Sequence, residues 1–375
     1  MSAGPWVTGQ HRTDHLLTPH SRAKVVIVAL AAVTTTCSPE RLPEATVALE
    51  PMASVSSDAF STHIALISDD VGCVPDSYEF RVMCYGRDGE MLGVWGREGE
   101  GPGEFQDIMQ VRRWPHRRVA VFGIGGRMTV FEPTGEIVSE VRIPGTIMVN
   151  GIDSTTAFGL EPRFGGGGLR LVELDVESGE IVWERPGYTD IGTKETACGR
   201  KRPGVPTPQD GWVFPACGNQ LVFLAHRDDP AATVLRAPNY VEEFPSERDV
   251  QIMRSNLESP AMQESFMVPP PSQREQYVED YKARPKDWFM GGQAMKFDNR
   301  GRLWIGTRHD HSDYSYIDVW TGTEYSGSVR VRDRLIGFDI LGSTLVTVVR
   351  RPPDRRGISG QAIDWYDIRE VEFGS

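Results

Sequence analysis

The chain has 375 residues, 39% of them hydrophobic and 25% charged, the composition of an ordinary globular protein. Its formal net charge of −12 argues against a nucleic-acid partner, because binding a phosphate backbone runs on concentrated Lys and Arg. With 39 Gly, 26 Pro and 9 Trp, and few apolar patterns of helical length, the sequence excludes a helical bundle and favours many short strands joined by turns.

The first feature along the chain is a leader. Arg22 and Lys24 precede about nine apolar residues, 25–33, a run shorter than the roughly 20 that span a bilayer. These are the proportions of a secretory apolar region, so residues 1–36 read as a signal peptide and residues 37–54 as a linker with a possible closing strand. Cys37 resembles the lipidation cysteine of bacterial lipoproteins, with Thr34 and Thr36 where that motif carries Leu and a small residue. The resemblance implies an exported protein of the cell envelope, periplasmic or at the outer membrane, that meets a membrane only through an N-terminal lipid anchor. Apart from Cys37, the cysteines are Cys73, Cys84, Cys198 and Cys217. Their two short spacings suit two local disulfides in an oxidising compartment, and without a CxxC pair there is no footing for a structural zinc site.

From residue 55 the chain repeats itself. RVMCYGRDGEML, RMTVFEPTGEIV and RLVELDVESGEIV each combine an alternating strand, a polar turn with glycine and the start of another strand. The turn glycines Gly89, Gly135 and Gly179 recur with a period of about 45 residues. Short apolar strands are read at 63–67, 118–122, 156–160, 211–215, 302–306 and 344–349, each followed by a partner strand at 80–85, 127–131, 169–174, 220–224, 314–320 or 362–367. Six such units, each of four strands, predict an all-β, six-bladed β-propeller of antiparallel blades over residues 55–375. Ring closure is expected to pair a strand near residues 46–50 with the final blade, and Trp95, Trp212, Trp304 and Trp365 are expected between blades. Residues 241–288 break the pattern. Segments 246–257 and 272–285 each begin with Ser, and the second ends at proline, which predicts a short helical insert between blades four and five.

The stretch GREGEGPGEF, residues 96–105, concentrates glycine between the last strand of one blade and the first of the next. A phosphate-binding loop needs Lys and Ser or Thr after its last glycine, whereas Glu98, Glu100 and Glu104 here repel phosphate. Gly99, Gly101, Pro102, Gly103 and Phe105 resemble the inter-blade linker of NHL-type six-bladed β-propellers. VFEPTGEIV and FDNRGRLWIGT are similar to the same family's strand-and-turn wording. The likeness covers most of residues 55–370 and is strongest over 80–140 and 293–307. It departs at Gly123, where the family often has Asp.

A propeller gathers its innermost strands around an axis, so ligand contacts are expected from Gln106, Asp107, Asn150, Gln293 and Arg334, which enter or begin those strands. RHDHSDYSY offers His309, Asp310, His311 and Asp313, imidazole and carboxylate donors suited to calcium or another divalent metal, although His and Asp are also common in turns. GISGQ fails the G-x-S-x-G nucleophile elbow at its last position, no H-E-x-x-H occurs, and no other catalytic constellation is assembled. The arginines at 350, 351, 355 and 356 read as a solvated loop. The expectation is a monomeric, non-catalytic binding or protein-interaction module without a cofactor, facing an envelope or extracellular protein or a small ligand. The alternative is a calcium-dependent hydrolase or lyase working at the axis, as some six-bladed propellers are.

Overall fold

The computed structural model describes residues 46–57, 59, 61–123, 126–143, 148–152, 155–163, 168–185, 203–229, 231–258, 270–310, 314–353 and 359–373. The leader, Cys37, Cys198, His311 and Asp313 lie outside the described residues.

Six antiparallel four-stranded sheets follow one another as the blades of a β-propeller. Blade one comprises Ala65–Ser68, Val71–Asp76, Arg81–Gly86 and Met91–Trp95; blade two, Gln110–Trp114, Arg118–Phe122, Arg127–Phe131 and Ile137–Arg142. Blade three comprises Met148–Ile152, Thr156–Arg163, Gly168–Asp175 and Ile181–Arg185; blade four, Val205–Pro206, Trp212–Pro215, Gln220–Leu224 and Thr233–Arg236. Blade five comprises Met295–Phe297, Arg302–Asp310, Tyr314–Thr321 and Glu324–Arg332. Blade six takes Arg334–Leu341, Thr344–Arg350 and Gln361–Asp367 from the end of the chain and its fourth strand, Ala53–Ser57, from the beginning.

The blades are built from alternation buried on both sides. Successive side chains of a strand point to opposite faces, so Val119 and Val121 pack toward blade one while Ala120 and Phe122 pack toward blade three. That is why the second strands read as continuous apolar runs. Each pair of neighbouring blades shares its own apolar layer, and the four tryptophans fall in these layers as expected: Trp95 between blades one and two, Trp212 between three and four, Trp304 between five and six, and Trp365 between six and one.

Two strand assignments differ from the sequence expectation. Residues 63–67 were expected as the partner of strand 80–85; in the structure Ala65–Ser68 is the innermost strand of blade one, and Val71–Asp76 stands between them. Gly72 and Pro75, residue types depleted in strands, disguise that segment. Gly72 is there for space: a Cβ on it would come 3.2 Å from Ile64 Cδ1. Cys73 faces Cys84 across the same ladder, and the two form a disulfide; Cys217 is also disulfide-bonded. The second difference is the closure, which uses Ala53–Ser57 rather than residues 46–50. Thr46–Ala48 instead runs parallel to Glu324–Arg332 as a fifth strand of blade five.

The glycine-rich linker is a turn, as read. Arg97–Glu98 and Glu104–Phe105 pair as a two-residue parallel ladder that folds the segment back on itself. Gly96 adopts φ +85° under the Phe105 ring, where a Cβ would lie 2.4 Å from a ring carbon. Glu104 accepts from Gly101 N at 2.8 Å and from Arg97 Nη2 at 2.6 Å, and these bonds hold its carboxyl below the usual range.

Helices Glu247–Glu258 and Arg274–Lys282 form the insert. Ser246 caps the first: Asp249 N donates to Ser246 Oγ at 3.2 Å and Ser246 N to Asp249 Oδ2 at 2.8 Å, a reciprocal capping box. The second helix starts after a 3-10 turn, Pro271–Gln273, so Ser272 is not its cap. Val250, Leu257 and Val278 make a small core between them, and both Arg254 guanidinium nitrogens bind Glu275 at 2.6 Å. The chain rejoins the ring where Trp288 Nε1 donates to Asp318 Oδ2 at 3.0 Å; Ser328 Oγ donates to Asp318 Oδ1 at 2.6 Å.

Two predictions follow from this architecture. Arg351 fixes the closing strand by binding Asp333, Ser54 and, at 2.8 Å, the fully buried Asp364. Arg351→Ala strands those carboxylates and is expected to cost about 3 kcal/mol in urea unfolding; a loss below about 0.5 kcal/mol, as for an exposed pair, would contradict this role. Burial lifts the Asp318 carboxyl from 3.8 to about 6 despite its two donors. Folding therefore binds a proton in that window, and stability falls as pH rises from about 4 to about 6. Asp318→Asn should remove a pH-dependent loss of about 3 kcal/mol across that window, and identical pH slopes for the two proteins would refute the assignment.

Candidate functional site

The first strands of neighbouring blades meet around the axis and border a half-open cavity of about 380 Å³. These strands do not form a sheet with one another, so their outward-facing backbone groups need side-chain partners. Gln110 Oε1 accepts from Val149 N at 2.9 Å, and Arg112 Nε donates to Val149 O at 2.6 Å, joining blades two and three. Asp339 Oδ2 accepts from Leu66 N at 2.9 Å, joining blades six and one. Arg113 Nη1 donates to Ile340 O at 3.2 Å across the axis.

Those stitches concentrate charge. Arg112 and Arg113 from blade two, Lys296 from blade five and Asp339 from blade six line the cavity, together with Ile64 and Phe158. Lys296 Nζ lies 3.6 Å from Asp339 Oδ1. Burial draws the Lys296 ammonium down to about 8; Asp339 opposes the fall, and Arg112 and Arg113 deepen it. Burial lowers Arg112 to about 10, again against Asp339. For Asp339, burial pushes upward, but Lys296, Arg113 and the N–H groups of Leu66 and Ile340 outweigh it and hold the carboxyl below the usual range. His63 keeps some contact with solvent, yet burial, Arg112 and Lys296 hold its imidazole well below its ordinary value. The site is thus a cluster of three cations, Arg112, Arg113 and Lys296, with the carboxylates of Asp339 and Asp210 among them.

Of the residues expected from sequence, Gln106, Asp107, Gln293 and Arg334 are not among those that line this cavity. Gln106 is exposed and donates to Glu100 Oε1 at 2.7 Å, and Asp107 follows it in the linker. Asn150 lies on the innermost strand of blade three, Gln293 in the turn Gly292–Ala294 ahead of blade five, and Arg334 at the exposed start of blade six. The cavity is lined instead by charges that follow an apolar residue on the same strand: Val111-Arg112, Met295-Lys296-Phe297 and Phe338-Asp339-Ile340. They share a mid-strand place beside apolar residues on the innermost strands. Of the expected metal ligands, His309 and Asp310 close the second strand of blade five. Among the described residues no group of three or more His, Cys, Asp or Glu side chains is arranged to hold a metal. Glu161, a buried acid on the second strand of blade three, is bound by Arg170.

No family model and no curated protein matches the sequence. Among solved structures, that of a member of the DUF4221 family from Bacteroides vulgatus ATCC 8482 is similar, with a TM-score of 0.52 at 10% identity, over 86% of this chain and 98% of that one. The likeness shows the fold. At such identity it says nothing of the residues at the axis, which stand on their own geometry.

That geometry makes a direct prediction. Because folding depresses Lys296 from 10.5 to about 8, the unfolded chain binds more protons between those values, and Lys296 makes stability rise with pH across them. Relative to Lys296→Met, the wild type should gain about 2 kcal/mol between pH 7.5 and 9.5 in denaturant titrations. Equal changes in the two proteins would show that Lys296 is not a buried cation.

Proposed function

We propose that this protein is an exported, lipid-anchored, non-catalytic binding module whose ligand occupies the axial cavity. The observation that supports it is the lining itself: Arg112, Lys296 and Asp339 are held in place by blade-to-blade contacts and present charge toward a half-open cavity. Concave sites with a few placed polar groups on a rigid frame are how small ligands are recognised. The linker wording over residues 96–105 resembles that of NHL-type propellers, which supports an axial face for the ligand, and the helical insert would offer a second surface for an envelope protein. Export is supported by the leader pattern ahead of Cys37 and by the Cys73–Cys84 bridge, since structural disulfides persist in oxidising compartments.

The competing reading, a calcium-dependent hydrolase or lyase at the axis, requires carboxylates converging on a cation, whereas cations dominate this cavity. Thermal melts of the purified protein with and without calcium, followed by lactone and ester panels, separate the two. The expected result is a melting temperature that calcium leaves unchanged and no turnover above the metal-free control. A large calcium-dependent rise accompanied by turnover would overturn the proposal.

A further inference from the structure

We propose that the axial cavity binds a small organic acid, its carboxylate on Arg112 and Lys296 and its apolar body against Ile64, Phe158 and Phe297. The inference rests on the binding-module reading and names its ligand class.

Three observations lead to it. Arg112 is 4% exposed and spends Nε on Val149 O, while its Nη2 is buried with no hydrogen-bond partner among the described residues. A buried charged donor left unpaired carries the full desolvation cost, and an incoming carboxylate is the group that removes it. The charge balance points the same way. Arg112, Arg113 and Lys296 face Asp339 and Asp210, but Asp210 is already engaged by His226 Nε2 at 3.1 Å and Arg227 Nε at 3.3 Å. The cavity therefore carries excess positive charge inside a chain of net charge −12. Finally, the rest of the lining is apolar, with Ile64, Phe158, Met295 and Phe297 among it. A bare oxyanion would leave those groups against water, whereas a ligand of about a dozen non-hydrogen atoms, the scale a cavity of this size holds, covers them.

Binding also has a proton signature. A carboxylate beside Lys296 restores the ammonium that burial draws down to about 8, so affinity should fall as pH rises above that value. Arg112, Arg113, Asp339, Asp210 and His63 are the other ionisable groups around Lys296.

The test is calorimetric titration of the purified protein at pH 7 with phenylacetate and hexanoate, their neutral amides, and inorganic phosphate. Each acid should bind at least about tenfold tighter than its amide and than phosphate, the worth of one charge-assisted pair. Arg112→Gln and Lys296→Met should each weaken the acids about tenfold and leave any amide binding unchanged. Asp339→Asn, which keeps an acceptor for Leu66 N, should tighten the acids several-fold; this gain cannot come from misfolding. Amides or phosphate binding as tightly as the acids would overturn the assignment, as would an Asp339→Asn variant that leaves acid affinity unchanged. Should only the amides bind, the organic-acid assignment falls and the binding-module reading stands. Should none of the probes bind, both fall.

Discussion

The constraint on which the structure depends is that each sheet has two apolar faces and no helices to cover them. Ala120 and Phe122 cannot be buried by the same neighbour that buries Val119 and Val121, so every blade needs a blade on either side. A row of such sheets leaves two bare ends unless it closes, and closure is what Ala53–Ser57 achieves by completing blade six from the opposite end of the chain. Val55 then joins Trp365, Ile363 and Leu66 in the layer between blades six and one. The core is accordingly six separate apolar layers arranged around an axis, and the last to form depends on a strand distant in sequence.

The same constraint generates the chemistry at the centre. Innermost strands converge but do not pair as a sheet, and their backbone groups recruit Gln110, Arg112, Arg113 and Asp339 from neighbouring blades. Charges placed to stitch the ring are thereby buried at its axis, where low dielectric magnifies their mutual effects. Lys296 lies 3.6 Å from Asp339 Oδ1 and is repelled by Arg112 and Arg113. Structural need accounts for Arg112 Nε and for Asp339 Oδ2. It does not account for Arg112 Nη2, which has no hydrogen-bond partner among the described residues.

Much of this was legible in the sequence because it is written in short-range patterns. Gly89, Gly135 and Gly179 all adopt positive φ in their turns, the conformation that their spacing in the polar segments signalled. The inter-blade tryptophans and the Ser246 cap are likewise local signals. Long-range choices were not legible. Thr46–Ala48 and Ala53–Ser57 are both short and strand-like on either side of Pro51, and only the burial of Val55 against blade one selects the second as the closing strand. Val71–Asp76 was hidden by Gly72 and Pro75. The axial residues are hidden for a related reason: Gln293 and Arg334 stand out at the starts of strands, whereas Arg112, Lys296 and Asp339 sit mid-strand among apolar neighbours. Which mid-strand side chain faces the axis depends on blade tilt and register, and no spacing in the chain encodes these.

Crystals of the protein soaked in phenylacetate would show whether Arg112 and Lys296 jointly hold an acid at the axis. The expected density places a carboxylate within hydrogen-bonding distance of the Arg112 guanidinium and Lys296 Nζ, with the ring against Phe158. Phenylacetate bound elsewhere on the protein, or seated in the cavity with its carboxylate turned away from both cations, would contradict it.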